Sequence, residues 1–161
     1  MIVPLRLVLM VAVAIVPILQ AGPPGFVMWS AAELAERDAA LSTRVGPDHS
    51  ARETLADYGN PSGAHRFRFI HRDADGVPEQ HEHIEDVVFI KSGAGTLLVG
   101  GDMVNRTGSR GTGIAGGRRY PVGAGDILHI PATTPHGYLV PDGGHITYVL
   151  VRVPAFVGEA Q

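Results

Sequence analysis

Cysteine is absent from the 161 residues. Its absence removes disulfides, thiol nucleophiles, iron–sulfur clusters and Cys-based zinc sites together, and leaves imidazoles and carboxylates as the strong side-chain ligands. A long basic run is also missing, and the formal charge is −3. A phosphate backbone would find few of the cation contacts that dominate nucleic-acid affinity, so nucleic acid is not an expected partner. The apolar run from Leu7 to Leu19 falls short of the ~20 residues that a spanning helix needs, and Pro17 interrupts it. What remains, 45% apolar over 161 residues, fits one domain with accessory segments and excludes two large ones.

The first 22 residues have the form of a secretory signal: Arg6, then the apolar run, then the small residues Ala21 and Gly22. The expectation is export to a periplasmic or extracellular space, with no stable membrane span after cleavage; left uncleaved, the segment would serve as an anchor. Residues 23–64 read as a linker with one or two short helices. Ser30 stands three before Glu33 ahead of ELAERDAAL, and Ser50 stands three before Glu53, with Gly59 placed as a terminator. From His65 to Pro154 the texture is that of short strands punctuated by Gly, Pro and Asp, with no helical period between them. This predicts an all-β, closed or double-sheet domain over 65–154, with 155–161 as a tail. In HRFRFIH, His65 and His71 share a face with Phe67 and Phe69, so that face is expected to line the barrel. Gly111, Gly113 and Gly116 fit a dinucleotide-binding spacing, but the following GRRYPVGAGD cannot open a helix, so the segment reads as a loop.

The chemistry concentrates in two stretches. In EQHEHIED, His81 and His83 are two apart, so in an extended chain their imidazoles share a face and reach one ion. Some fifty residues on, in GAGDILHIPATTPHG, a strand ends at Pro131 and a short turn delivers His136. His129 follows the alternation of Ile127 and is a candidate pocket-lining group. Arg106, Arg110, Arg118 and Arg119 surround the glycine-rich loop, where guanidinium groups, Arg118 and Arg119 in particular, are candidates for holding an anionic substrate group.

These stretches resemble the two signature motifs of the cupin superfamily of small barrels. His81, His83, Asp86 and Gly93 fill the roles of the first, and Gly125, Asp126, Ile130-Pro131 and His136 those of the second. The resemblance implies a jelly-roll barrel holding one divalent transition metal (Fe, Mn, Ni, Zn or Cu) on His81, His83, Asp86 and His136. It allows a homodimer. The carboxylate stands one position early, so a bulge between His83 and Asp86 is required; without one, Glu85 shares the face of the histidines and becomes the alternative ligand. Thr133 stands where glycine is common in the second motif. The resemblance leaves two classes of function open. One is a metal-dependent enzyme, an oxygenase, isomerase or lyase, acting on a small oxygenated molecule; the other is a non-catalytic module that binds such a molecule. A structural or storage role is a weaker third.

Overall fold

The computed structural model describes residues 23–59 and 65–155. The expected signal segment, and the tail beyond residue 155, lie outside the described residues. Residues 23–30 belong to a unit of their own and carry a turn closed by the Phe26 amide on the Pro23 carbonyl. The second unit begins at Ala31.

Helix α1 spans Ala31–Ser42 and buries Leu34 and Leu41. Alanine, leucine, glutamate and arginine favour it, and its carboxyl end is closed by the Ser42 and Thr43 hydroxyls, which bond back to the carbonyls of Ala39 and Ala40. The second expected helix does not form. Ser50–Asp57 is strand β1, paired antiparallel with β2 (Arg66–Arg72). The Ser-x-x-Glu spacing there is incidental: pairing with a neighbouring strand overrides modest helix propensity.

The remaining strands are β3 (Ile84–Val99), β4 (Asp102–Val104), β5 (Gly113–Ala115), β6 (Arg118–Gly123), β7 (Ile127–Ile130), β8 (His136–Leu139) and β9 (Ile146–Pro154). The glycine-rich loop carries only the β4–β5 hairpin and opens no helix. The chain is thus mostly antiparallel sheet, ordered β1-β2-β9-β3-β6, with β7 and β8 also on β3. The long strand β3 serves both halves of the barrel. Its first part pairs with β9 and β7, and from Ala94 onward it pairs with β6 and β8. The corner lies at Gly93, which has φ 71°, and a Cβ there would stand 2.0 Å from the His145 carbonyl oxygen. Only glycine fits that approach. Ile70, Val88, Ile90, Leu97, Ile130, Tyr148 and Leu150 belong to the buried core between the sheet faces.

Alternation along β2 divides its side chains. Phe69 and His71 turn towards α1, whereas Arg68, Ile70 and Arg72 line the cavity within the barrel. The expectation that this face lines the interior is therefore corrected for Phe69 and His71, which lie under the helix, while Phe67 packs on Tyr58 and His65. His71 is fastened there by Asp38 of α1. His71 Nδ1 lies 2.8 Å from Asp38 Oδ1, the Thr147 hydroxyl donates to the same oxygen at 2.7 Å, and the Ser92 hydroxyl donates to Oδ2 at 2.5 Å. One carboxylate ties α1 to β2, β3 and β9.

Burial would raise the Asp38 carboxyl, but the hydrogen bonds from Ser92, Thr147 and His71 outweigh it and hold the group below its ordinary value. The folded form therefore favours the carboxylate. The resulting stability is complete above about pH 4 and is lost as pH falls through the depressed folded value. Asp38→Asn should lower stability by about 2 kcal/mol at neutral pH and flatten the acid limb of the stability profile. Urea denaturation at pH 7 and pH 3 checks both; an unchanged acid limb would show that the clasp carries no such linkage.

Candidate functional site

The cavity face is set by register. Asp86 of β3 stands opposite Arg152 of β9, Val88 opposite Leu150, and Ile90 opposite Tyr148. Cross-strand partners share a face, so Asp86 and Arg152 enter the interior together. Asp86 is 4% exposed. Glu85, one position earlier, turns outward, where its Oε2 lies 2.9 Å from His129 Nε2.

His81 reaches the same place from outside the strand. Glu79 and His136 form an antiparallel bridge, with each amide bonded to the other's carbonyl at 2.8 and 2.9 Å. Glu79 and His81 are two apart and present their side chains to one side. The chain then bends at Glu82-His83 before β3 begins at Ile84. That bend resets the phase, so His81 and Asp86 both face inward although they are five apart. His83 falls on the outer side of the bend and is exposed, its carbonyl accepting from the Ala155 amide at 3.0 Å.

Four donor groups converge. Asp86 Oδ2 lies 3.7 Å from His81 Nε2 and 3.4 Å from His136 Nε2, and Glu79 Oε2 lies 3.5 Å from His81 Nε2. Among the described residues, Glu79, His81 and His136 offer ligand atoms that all lie within 4.8 Å of one another and could hold a metal ion. Arg152 threads the cluster: its Nε donates to Asp86 Oδ1 at 3.2 Å, and its Nη2 donates to Glu79 Oε2 at 2.9 Å and to His81 Nε2 at 2.8 Å. Because a guanidinium only donates, His81 Nε2 carries a lone pair. The same holds for His136, whose Nδ1–H donates to the Thr134 carbonyl at 2.9 Å and leaves Nε2 unprotonated in the neutral ring. Burial would raise the Glu79 carboxyl, but the close approach of His81 and the Arg152 charge prevail and bring it down to about 2.

These donors suit a cation. Two ligand atoms about 2.1 Å from one ion at ordinary coordination angles stand roughly 3.0–3.5 Å apart, close to the separations found. Both imidazoles present the tautomer that a metal takes, one of them fixed by a backbone carbonyl behind it. Arg152 supplies the positive charge that the two carboxylates otherwise require.

The turn that delivers His136 is pinned to this cluster. Thr133 has φ 62°, a left-handed conformation that explains why glycine suits the position, and its amide bonds the His81 carbonyl at 2.6 Å. Asp126 accepts from the Gly123 amide at 2.8 Å and so closes the turn before β7. Of the residues singled out from the sequence, His81, Asp86 and His136 meet. His83, Glu85 and His129 lie outside the cluster, as do Arg118 and Arg119, which are exposed on β6. Arg106 pairs with Glu82, and Arg110 Nε approaches Glu79 Oε1 to 3.6 Å. Glu79 was not anticipated. The rule of two that joins His81 to His83 applies equally one step earlier, and the bend after His81 decides between the two.

Among solved structures, the polyketide cyclase RemF from Streptomyces resistomycificus superimposes with a TM-score of 0.50 at 18% identity, over 70% of this chain and 74% of that one. A cupin 2 conserved barrel domain protein from Rhodopseudomonas palustris gives 0.47 at 24% identity, over 70% and 65%, and KdgF from Halomonas sp. gives 0.48 at 19%, over 70% and 85%. The fold is a cupin-type β-barrel. No protein-family model matches the chain, and no curated protein matches it. This cupin-type barrel holds its donor cluster on the inner face of β3, β8 and β9.

Removing Arg152 would leave two carboxylates in the cluster without their counter-charge. Arg152→Met should cost about 3 kcal/mol in urea denaturation, and adding Glu79→Gln should recover a good part of that loss. Strict additivity of the two substitutions would show that the pair is not coupled.

Proposed function

We propose that this chain is an exported metal-binding cupin that acts on or binds a small oxygenated molecule, with one divalent transition metal held by His81, His136, Asp86 and Glu79. The observation that carries this reading is the grouping of Glu79 with the His81 and His136 imidazoles, with Asp86 Oδ2 lying 3.7 and 3.4 Å from the two Nε2 atoms. Nitrogen and oxygen donors of this kind suit Fe, Mn, Ni, Zn or Cu. Such a metal would polarise a carbonyl or enolate oxygen, or activate water. Around it, the Thr134 carbonyl holds the His136 ring in orientation, and Arg152, now bonded to His81 and Glu79, would have to release both to a metal while its Nε could stay on Asp86. Tyr138 and Tyr148, stacked 4.8 Å apart between ring centroids, form an aromatic wall of the same cavity. Export rests on the amino-terminal pattern of Arg6, an apolar run and small residues. Among the described residues no helix is long and apolar enough to cross a membrane.

The second reading is a metal-free binding module. It is favoured by Arg152, whose guanidinium already satisfies one atom each of Glu79, His81 and Asp86. Elemental analysis of the purified protein after dialysis separates the two. The metal reading predicts about one equivalent of metal per chain, lost in the His81→Ala, His136→Ala double variant and retained in His83→Ala. Equal, sub-stoichiometric metal in all three would overturn it.

A further inference from the structure

The cavity that contains the donor cluster is also lined by Arg52, Arg68, Arg72 and Arg110 besides Arg152, against only Glu79 and Asp86 as acids. Several of these cations are accounted for. Arg152 is bonded to both acids, Arg110 approaches Glu79, and Arg52 pairs with Asp48. Arg68 and Arg72 are not. Among the described residues neither has a carboxylate within the 4.0 Å of an ion pair. Arg72 is 9% exposed and its hydrogen bond is to a neutral group, Nε donating to the Tyr148 hydroxyl at 2.9 Å. Arg68 Nε is buried with no hydrogen-bond partner, as is the Tyr138 hydroxyl on the same cavity.

The two guanidiniums lie on one face of β2, with Ile70 between them and Arg52 opposite Ile70 across the β1–β2 ladder. Arg52 is therefore diagonal to both. Burying a cation without a counter-charge is unfavourable, and for Arg68 burial, with the neighbouring charges of Arg152, Arg66 and Arg52, lowers the pKa; for Arg72 burial acts the same way, but Tyr148 and Glu79 outweigh it and hold the group above its ordinary value. A charge arrangement of this kind is completed by an anion. The enclosed space is about 130 Å³, comparable to a cavity that takes a benzene-sized molecule, so the anion must be small.

We propose that the cavity binds a small carboxylic acid, its carboxylate held by Arg68 and Arg72 with Arg52 at the rim, and its remaining oxygen turned towards the His81–Asp86–His136 cluster. Guanidinium forks match a carboxylate in geometry as well as charge. The carboxylate contacts stand without any metal; the direction of the second oxygen rests on the functional reading above. The anion site is distinct from the one expected at Arg118 and Arg119, which do not line this cavity.

Calorimetric titration of the full chain, in chelator-treated and Mn(II)-supplemented forms at fixed ionic strength, tests this with acetate, pyruvate, oxalate, malonate and succinate. Pyruvamide serves as the uncharged counterpart of pyruvate and inorganic phosphate as the other small anion. At least one carboxylate should bind the chelator-treated protein, pyruvamide should not, and Arg68→Met should weaken that binding by about tenfold or more. Arg72→Met should act likewise; because Arg72 is buried, Arg68→Met with circular dichroism as the folding control carries the result. Three results would overturn the proposal: no carboxylate binding, binding indifferent to Arg68, or phosphate bound more tightly than every carboxylate. Failure of the unsubstituted protein to bind metal, with carboxylate binding intact, would overturn the metal reading and leave this one standing.

Discussion

Two acidic side chains inside a barrel need a cation, and the guanidinium of Arg152 between Glu79, Asp86 and His81 meets that need. Much of the interior follows from it. The register that sets Asp86 opposite Arg152 also sets Val88 opposite Leu150 and Ile90 opposite Tyr148, so the ionic end and the apolar body of the core share one alignment. A slip of one residue would turn Asp86 outward and bring Glu85 in, and would expose Val88 and Ile90 together. The hydrophobic core thereby enforces the position of the charged cluster.

The cluster is balanced between two partners. Arg152 satisfies the donor atoms as a hydrogen-bonding cation, while the lone pairs on His81 and His136 suit a metal. A bound metal and Arg152 would compete for His81 Nε2 and Glu79, so metal affinity here is a difference between two occupied states. Beyond the cluster, the same cavity is lined by Arg68 and Arg72.

Much of the fold was legible in the sequence because strand alternation and turn residues are local signals: the strands from His65 onward and the turn before His136 carry them. The strand at Ser50–Asp57 was hidden because Ser50 and Glu53 imitate a helix start, and only pairing with Arg66–Arg72 reveals it. The faces of β2 were read in reverse. The face of Phe69 and His71 was expected to line the barrel, whereas it lies under the helix anchored by Asp38, and Arg68 and Arg72 of the other face line the cavity. In the site, His81, Asp86 and His136 come together, but whether His81 is joined by His83 or by Glu79 turns on a bend at Glu82-His83 that no periodicity encodes.

The central claim is that the metal-binding group is built from His81 and His136 with carboxylates, and that His83 stands outside it. Electron paramagnetic resonance of the Cu(II)-loaded protein measures this directly through nitrogen hyperfine coupling. The account predicts coupling to two imidazoles, unchanged in His83→Ala and reduced in His81→Ala. Coupling to a third imidazole that disappears in His83→Ala would contradict it.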